Sequence, residues 1–423
     1  MTTDSTAAAA TEPGGELLLG QEWADALEAG VRGRIRSFIE ELLEAELEAA
    51  LSRKRYERGR PGAEDAAGGS PAGAVGHRHG RRERTLLGTF GAVTVSVPRA
   101  RLRTPQGGTV EWTNATIPAY RRLTRRAEAL IAGAYLAGTN TRRVRRALAA
   151  LFGGAVGKDT VSRVWRKGKS DWDAWSGRAL ADEPIVRLIL DGTVVRVRLD
   201  RRATTISLLV VIGVRRDGQK VLLAVRNMGG ETTEAWRAVL DDLVGRGLRT
   251  PEFLIIDGAP GLERALAALW PDVPTQRCTV HKHRNLLAHA PDRLHGEVSA
   301  DYTDMIYAAT AQEIAARRKA FLGKWRLKCR AVADSLEEAG DRLFAFTRLP
   351  PSRWKSARTT NAIERLHEEF RRRIKTQTVL PSAETAAMLF WALLASGQIT
   401  MRKVDGWQTL AEQPSDHALD LAA

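Results

Sequence analysis

Ile185-Val-Arg-Leu-Ile-Leu-Asp191-Gly-Thr-Val-Val-Arg-Val-Arg198 decides the fold. Aliphatic and β-branched residues continue on both sides of a single acid, so Asp191 lies within a strand, although Asp-Gly alone would suggest a turn. A carboxylate inside a buried strand is costly unless something pairs with it. A second acid has a comparable setting. Asp257 ends the apolar run Phe253-Leu-Ile-Ile256 and is followed by Gly258-Ala-Pro-Gly261. The plainer reading of Asp257 is a strand end that caps the next helix. Two such acids, separated by strands and a helix, point to carboxylates converging on a divalent cation.

Outward from this strand the pattern is regular. Strands are predicted at 185–198, 204–215 and 220–227, with Asp217-Gly218 as the hairpin turn between the last two. A helix is predicted at 232–246, with Trp236, Val239, Leu240 and Leu243 on one face. Then come a strand at 252–257, a helix at 261–269 and a strand at 273–278. Three antiparallel strands, a helical crossover and parallel strands make an α/β fold with a mixed sheet. The order is that of a ribonuclease-H-like core, assigned to residues 184–280. In that order the first and fourth strands are neighbours, which brings Asp191 towards Asp257.

The flanks divide by composition. Residues 1–15 read as disordered, and 16–58 as a helix with Leu42, Leu43, Leu47 and Leu51 on one stripe, a candidate oligomerisation surface. Residues 59–80 are rich in Gly, Ala and Pro and read as a linker. Alternation at Leu87, Phe90, Val93, Val95 and Val97 predicts a small β-hairpin within 81–119. Residues 120–180 read as helical: a helix at 142–152, a Gly-rich turn at 153–157 and a further helix from Lys158 resemble a helix-turn-helix. An ordinary helical bundle has the same pattern. Residues 281–355 are helical, 356–402 hold the helix 361–376 and an apolar helix at 383–396, and 403–423 read as a loose tail.

The chain of 423 residues carries a net charge of +15, with a pI near 10.3 and mean hydropathy of -0.27. That excess favours a polyanionic partner, nucleic acid ahead of a membrane surface. Between Arg121 and Ser170 there are 13 Lys/Arg against only Glu128 and Asp159. Arg142, Arg143, Arg145, Arg146, Lys158, Arg163, Arg166 and Lys167 are therefore candidate phosphate contacts. No apolar run reaches the roughly 18–20 residues of a membrane span. The first residues lack a basic n-region, and two cysteines make no disulfide framework, so a cytoplasmic, nucleoid-associated protein is expected.

Glu364 is more ambiguous. With Asn361 as N-cap it occupies the third helical position of a capping box, and spacing alone favours capping. Glu368 and Glu369 compete for any catalytic role. Arg371, Arg372, Arg373 and Lys375 follow on the same helix, either as a solvated face or as phosphate contacts. Cys278-Thr-Val-His281 is half of a zinc motif, or a small buried cysteine with a neighbouring histidine.

Longer runs resolve part of this. Thr359-Thr-Asn-Ala-Ile-Glu-Arg-Leu-His-Glu-Glu-Phe-Arg-Arg-Arg-Ile-Lys-Thr376, Phe253-Leu-Ile-Ile-Asp-Gly-Ala-Pro-Gly-Leu262, Val273-Pro-Thr-Gln-Arg-Cys-Thr-Val-His-Lys-His-Arg-Asn-Leu286 and Leu87-Gly-Thr-Phe-Gly-Ala-Val-Thr-Val-Ser-Val-Pro-Arg-Ala-Arg101 resemble mutator-type bacterial insertion-sequence transposases. The resemblance covers about residues 30–400. It implies a DDE triad at Asp191, Asp257 and Glu364, an all-helical domain inserted before the Glu-bearing helix, and supporting roles for Cys278 and His281. It also suggests DNA stacking by Trp325, for which a core tryptophan is the competing reading. Phosphoryl transfer on DNA fits two Mg²⁺ ions held by such carboxylates, with Mn²⁺ able to substitute. The implied partners are double-stranded DNA at terminal inverted repeats and at the target, and further copies of the chain in a homo-oligomer. One departure stands out: Gly192-Thr193 follow Asp191 where bulkier residues are expected. Two other classes remain open, a structure-specific nuclease with the same core and a non-catalytic helix-turn-helix regulator.

Overall fold

The computed structural model describes residues 26–52, 54–55, 76–104, 108–117, 122–137, 141–199, 202–376, 380, 382–412 and 414. The readings of 1–15 as disordered and of most of the 59–80 linker therefore lie outside the described residues. The chain forms two compact units, residues 1–132 with 141–164, and residues 133–140 with 165–423.

In the first unit, α1 (Ala26–Leu51) packs on a three-stranded antiparallel sheet of β1 (Gly76–Gly88), β2 (Gly91–Arg103) and β3 (Thr109–Glu111). The hairpin is longer than predicted, because β1 begins inside the stretch assigned as linker. Leu43 meets Val93, Val95, Val97 and Ile117, while Leu47 and Leu51 meet Ala100 and Trp112. The leucine stripe is thus consumed by the chain's own sheet, and Leu42 stays out of it at 41% exposure. Carboxylates on α1 fix the register: Glu40 accepts from the Ser96 N–H at 2.8 Å, and Glu46 from the Thr116 N–H at 3.1 Å.

Helices follow as α2 (Arg125–Leu136), α3 (Thr141–Ala147), α4 (Ala149–Phe152) and α5 (Lys158–Ser176). The predicted helix at 142–152 is broken at Leu148, whose φ and ψ (-100° and 6°) leave the helical basin. α5, the helix predicted from Lys158, runs for 19 residues.

The second unit is built on a five-stranded mixed sheet. Its strands are β4 (Ile185–Leu199), β5 (Arg202–Arg215), β6 (Lys220–Met228), β7 (Phe253–Ile256) and β8 (Thr275–Arg277), in the spatial order β6-β5-β4-β7-β8. β4 pairs antiparallel with β5 and parallel with β7, with Leu190 opposite Ile256. α6 (Thr233–Gly245) and α7 (Pro260–Leu269) cover one face, where Leu188 and Leu190 meet Trp236, Leu240 and Leu262. Ile189, Val195 and Val197 join the other core, which contains Phe370 and Phe390. The two-residue period of a strand therefore puts Asp191 in the row with Ile189 and Val195, on that second face.

Between β8 and the last helices lie α8 (Thr279–Ala288), α9 (His295–Ile306), α10 (Ala311–Lys328), α11 (Arg330–Ala339) and α12 (Pro351–Ala357). They are tied to the sheet by Gln276, fully buried on β8. Its amide donates to the Leu343 carbonyl and accepts from the Phe346 N–H, both at 2.7 Å. α13 (Asn361–Thr376) and α14 (Ala383–Ala395) complete the unit. Among the described residues no helix is long and apolar enough to cross a membrane.

The tail reading needs correction over 403–412. Val404 and Leu410 are buried, the Val404 N–H donates to the Gly218 carbonyl, and Arg353 donates to the Glu412 carbonyl at 2.7 Å. Two apolar anchors and these backbone bonds offset the entropy of ordering the segment.

Candidate active site

Asp191 is held by β4 in the middle of the sheet, and the pairing of β4 with β7 ends at Leu190 opposite Ile256, one residue before each acid. The two acids stand at the same level on adjacent parallel strands. Asp191 is only 5% exposed. Burial first, then the charges of Asp257, Glu364 and Glu231 against the opposing pull of His281, push its carboxyl up to about 8. An acid this far from its ordinary value marks a buried carboxyl among other carboxylates whose charge His281 offsets only in part.

Asp257 accepts from the Ala259 N–H at 2.9 Å, a local turn that leads into α7. Gly258 between them has φ +96°, and a Cβ there would stand 2.8 Å from the Arg277 guanidinium. Arg277 is itself held by Glu263 at 3.2 Å and Glu338 at 2.8 Å. The glycine lets the chain turn sharply after Asp257, whose charge still reaches Asp191.

Glu364 comes from the first turn of α13. Ile363, Leu366, His367, Phe370 and Ile374 are buried along that helix, which seats it on the face bearing Asp191. The Glu364 carboxylate lies 3.4 Å from His281 Nδ1 and 3.5 Å from Arg284 Nη2, so its partners are site residues. Thr360 Oγ1 also meets it at 3.4 Å.

Cys278 precedes α8 and His281 stands in its first turn. A side-chain hydrogen bond with Cys278 heads the causes that raise the His281 imidazole to about 9, against desolvation. Burial opposes ionisation of the Cys278 thiol, but hydrogen bonds from His281 and Thr360 outweigh it and the thiol is lowered. The Thr360 N–H donates to Cys278 Sγ at 3.3 Å.

Two residues at the site escaped the sequence reading. Glu231 follows Gly229-Gly230 at the turn from β6 into α6, and its carboxyl is raised by burial and by Asp257. A Cβ on Gly192 would stand 2.2 Å from the Glu231 carboxylate. The unexpected Gly192 after Asp191 is thus what makes room for a fourth acid. His367 is the other. It is buried, its Nδ1 lies 3.5 Å from Asp191 Oδ2, and burial, then Arg371, lowers its imidazole to about 3, so it is neutral at ordinary pH. Its position one turn beyond Glu364 on the inward face was the available signal.

The basic residues distribute unevenly. Arg371 on α13 donates to Thr193 Oγ1 at 2.7 Å, two residues from Asp191 on β4. Arg372 and Arg373 pair with Glu369 at 2.6 and 2.5 Å. Arg196, Arg371, Arg372 and Lys375 line an open groove of about 520 Å³ with Val194 and Glu368. On α3, Arg142, Arg143, Arg145 and Arg146 are exposed around buried Val144, and Lys158, Arg163, Arg166 and Lys167 are exposed on α5.

Trp325 requires a correction. It is fully buried on α10, packs on Phe321, and donates from Nε1 to Asp301 at 2.9 Å. A ring enclosed in the helical core has no face to offer a DNA base, so the core reading holds for this residue.

The fold and site define a mixed α/β protein in which Asp191, Asp257 and Glu364 from three elements influence one another beside a basic helix. A family model described as "Transposase, Mutator family" matches residues 15–401. The chain belongs to that family. It is 32% identical over 365 residues to the transposase for insertion sequence element ISRM5 of Rhizobium meliloti (strain 1021), covering 86% of each chain. It is 28% identical to the transposase for element IS905 of Lactococcus lactis subsp. lactis (strain IL1403), covering 84% of this chain and 85% of that one. It is also 28% identical to the transposase for element IS1081 of Mycobacterium tuberculosis (strain ATCC 25618 / H37Rv), covering 90% and 87%.

Proposed function

We propose that this protein is a DDE transposase with a ribonuclease-H-like core. It binds the terminal inverted repeats of its insertion sequence, cuts a strand at each end and joins the freed 3′-OH to target DNA. The observation that supports this reading is that Asp257, at the end of β7, and Glu364, on α13, lie close enough to the buried Asp191 of β4 for their charges to act on it. The sheet order and the helices between β8 and α13 support the core assignment.

The donor chemistry fits a divalent metal. Asp191, Asp257 and Glu364 offer hard oxygen atoms, and the raised Asp191 carboxyl reflects burial and then neighbouring negative charge, which a cation relieves. Mg²⁺ bound by these residues, with Mn²⁺ able to substitute, supplies charge neutralisation for in-line displacement at phosphorus. The protein does the rest by positioning. Neutral His367 holds the inner side of Asp191 without competing for its charge. Arg371, Arg372 and Lys375 hold DNA phosphates in the groove beside β4, and the exposed arginines of α3 and the cations of α5 hold the element end. Cys278 and His281 position Glu364. A homo-oligomer brings two ends together. On α1 the exposed Leu27, Val31, Phe38 and Leu42 share one face and are the surface for it, because Leu43, Leu47 and Leu51 are already buried.

The test is an end-joining assay. Protein, labelled element-end DNA, target plasmid and Mg²⁺ yield joined products, and Asp191→Asn, Asp257→Asn or Glu364→Gln removes both cutting and joining. Cutting without joined products would leave a structure-specific nuclease. Undiminished transposition in cells by Asp191→Asn would leave a non-catalytic DNA-binding regulator.

A further inference from the structure

We propose that Cys278, His281 and Glu364 form a Zn²⁺ site of mixed sulfur, nitrogen and oxygen donors, and that Zn²⁺ held there withdraws Glu364 from the acidic cluster. The three ligand atoms lie within 4.8 Å of one another. Donors around one Zn²⁺ stand roughly 3–4 Å apart, given bonds of about 2.0–2.3 Å. Closing the set therefore takes a shift of about 1 Å, within reach of side-chain rotation at Glu364.

The parts come from two helix starts that the fold presses together. The Thr279 N–H at the start of α8 donates to the Arg358 carbonyl at 2.9 Å, just before α13. Cys278 is fully buried, and its sulfur accepts from the Thr360 N–H, a contact that suits a thiolate. Thr360 Oγ1 stands 3.4 Å from both His281 Nδ1 and Glu364 Oε1, placing one hydroxyl to orient two ligands from outside the ligand set. His281 and Glu364 side chains are 32% and 21% exposed, which gives the ion an entry side and a water in the fourth position. On binding, the protons held by Cys278 and His281 pass to solvent as the sulfur–zinc and nitrogen–zinc bonds form, with no redox change.

Sulfur is what separates this site from the neighbouring one. Mg²⁺ takes oxygen and avoids thiolate, whereas Zn²⁺ favours Cys and His. Glu364 belongs to both donor sets, so Zn²⁺ and productive use of the acids compete. That consequence rests on the proposed catalytic role of Glu364. The zinc site itself does not.

The experiment loads the full-length protein with Co²⁺ and then Zn²⁺. One ion per chain is expected, with a near-ultraviolet thiolate-to-Co²⁺ band that Zn²⁺ bleaches. X-ray absorption of the zinc-loaded wild type is expected to find sulfur at about 2.3 Å. Cys278→Ala and His281→Ala lower affinity beyond the roughly 10–100-fold that loss of an outer partner costs. Asp191→Asn keeps the band. A shell of nitrogen and oxygen alone in the wild type, or unchanged affinity in Cys278→Ala, overturns the site. Zn²⁺ titrated at fixed Mg²⁺ is expected to suppress strand cleavage in step with site filling. A filled site with undiminished cleavage overturns the withdrawal of Glu364. If Asp191→Asn cleaves like wild type, the catalytic reading fails separately, because the cobalt band does not depend on it.

Discussion

Asp191 holds a proton that the unfolded chain has already released. Its carboxyl is raised from 3.8 to about 8, first by burial and then by Asp257, so between those values the folded state binds more protons. Stability therefore falls as pH rises through that window. Asp191→Asn removes the charge but keeps the shape. In metal-free buffer at pH 8 it is expected to raise stability by about 1–2 kcal/mol, with no gain below pH 4, and in buffer with Mg²⁺ it is expected to abolish strand cleavage. A melting temperature at or below wild type at pH 8 would count against the crowded-carboxylate account. Glu231→Gln tests the fourth acid. The Mg²⁺ concentration for half-maximal cleavage is expected to change several-fold, with saturated activity reduced less than in Asp191→Asn. Equal loss in both variants would make Glu231 a member of the essential set. At this scale Asp191 and Asp257 were legible because an acid interrupting an apolar strand is a local anomaly. Glu231 was not, since an acid after Gly-Gly looks like any loop residue until β4 is placed beside it.

At the scale of elements, α1 and α10 show that packing decides how apolar residues are used. Leu43, Leu47 and Leu51 recur with helical period, yet they serve the unit's own sheet. Leu47→Ala is expected to cost about 2–5 kcal/mol in thermal or denaturant unfolding. Phe38→Glu, on the exposed face, is expected to leave the melting temperature nearly unchanged and to reduce the mass measured by light scattering. Unaltered mass would remove α1 as the oligomer surface. On α10, Trp325→Ala is expected to destabilise by about 3–5 kcal/mol, with DNA affinity of the surviving folded fraction unchanged. Weaker DNA binding at wild-type stability would restore a direct contact. On α13, Arg372→Ala is expected to weaken binding to all DNA sequences alike and to flatten the salt slope by about one. Identical binding to wild type across salt concentrations would remove Arg372 from the phosphate contacts.

For the whole molecule, periodicity and composition determined a good deal without any coordinates. The mixed α/β character, the strands and helices from Ile185 to Leu269, the bounds of α13 and the basic charge all follow from local pattern. Strand alternation and helical period are properties of neighbouring residues and survive in any window of the chain. The resemblance to mutator-type transposases likewise rests on contiguous motifs. What only the tertiary structure decided is which of these features meet. Glu364 reads as a helix cap by spacing, and it faces His281 and the acids because α13 packs across β4. Trp325 and His367 are buried, and the Arg353 and Val404 anchors order the segment after Arg402, through contacts with chain far away in sequence. Such contacts depend on register and packing between distant segments, which leave no periodic trace in the residues that make them.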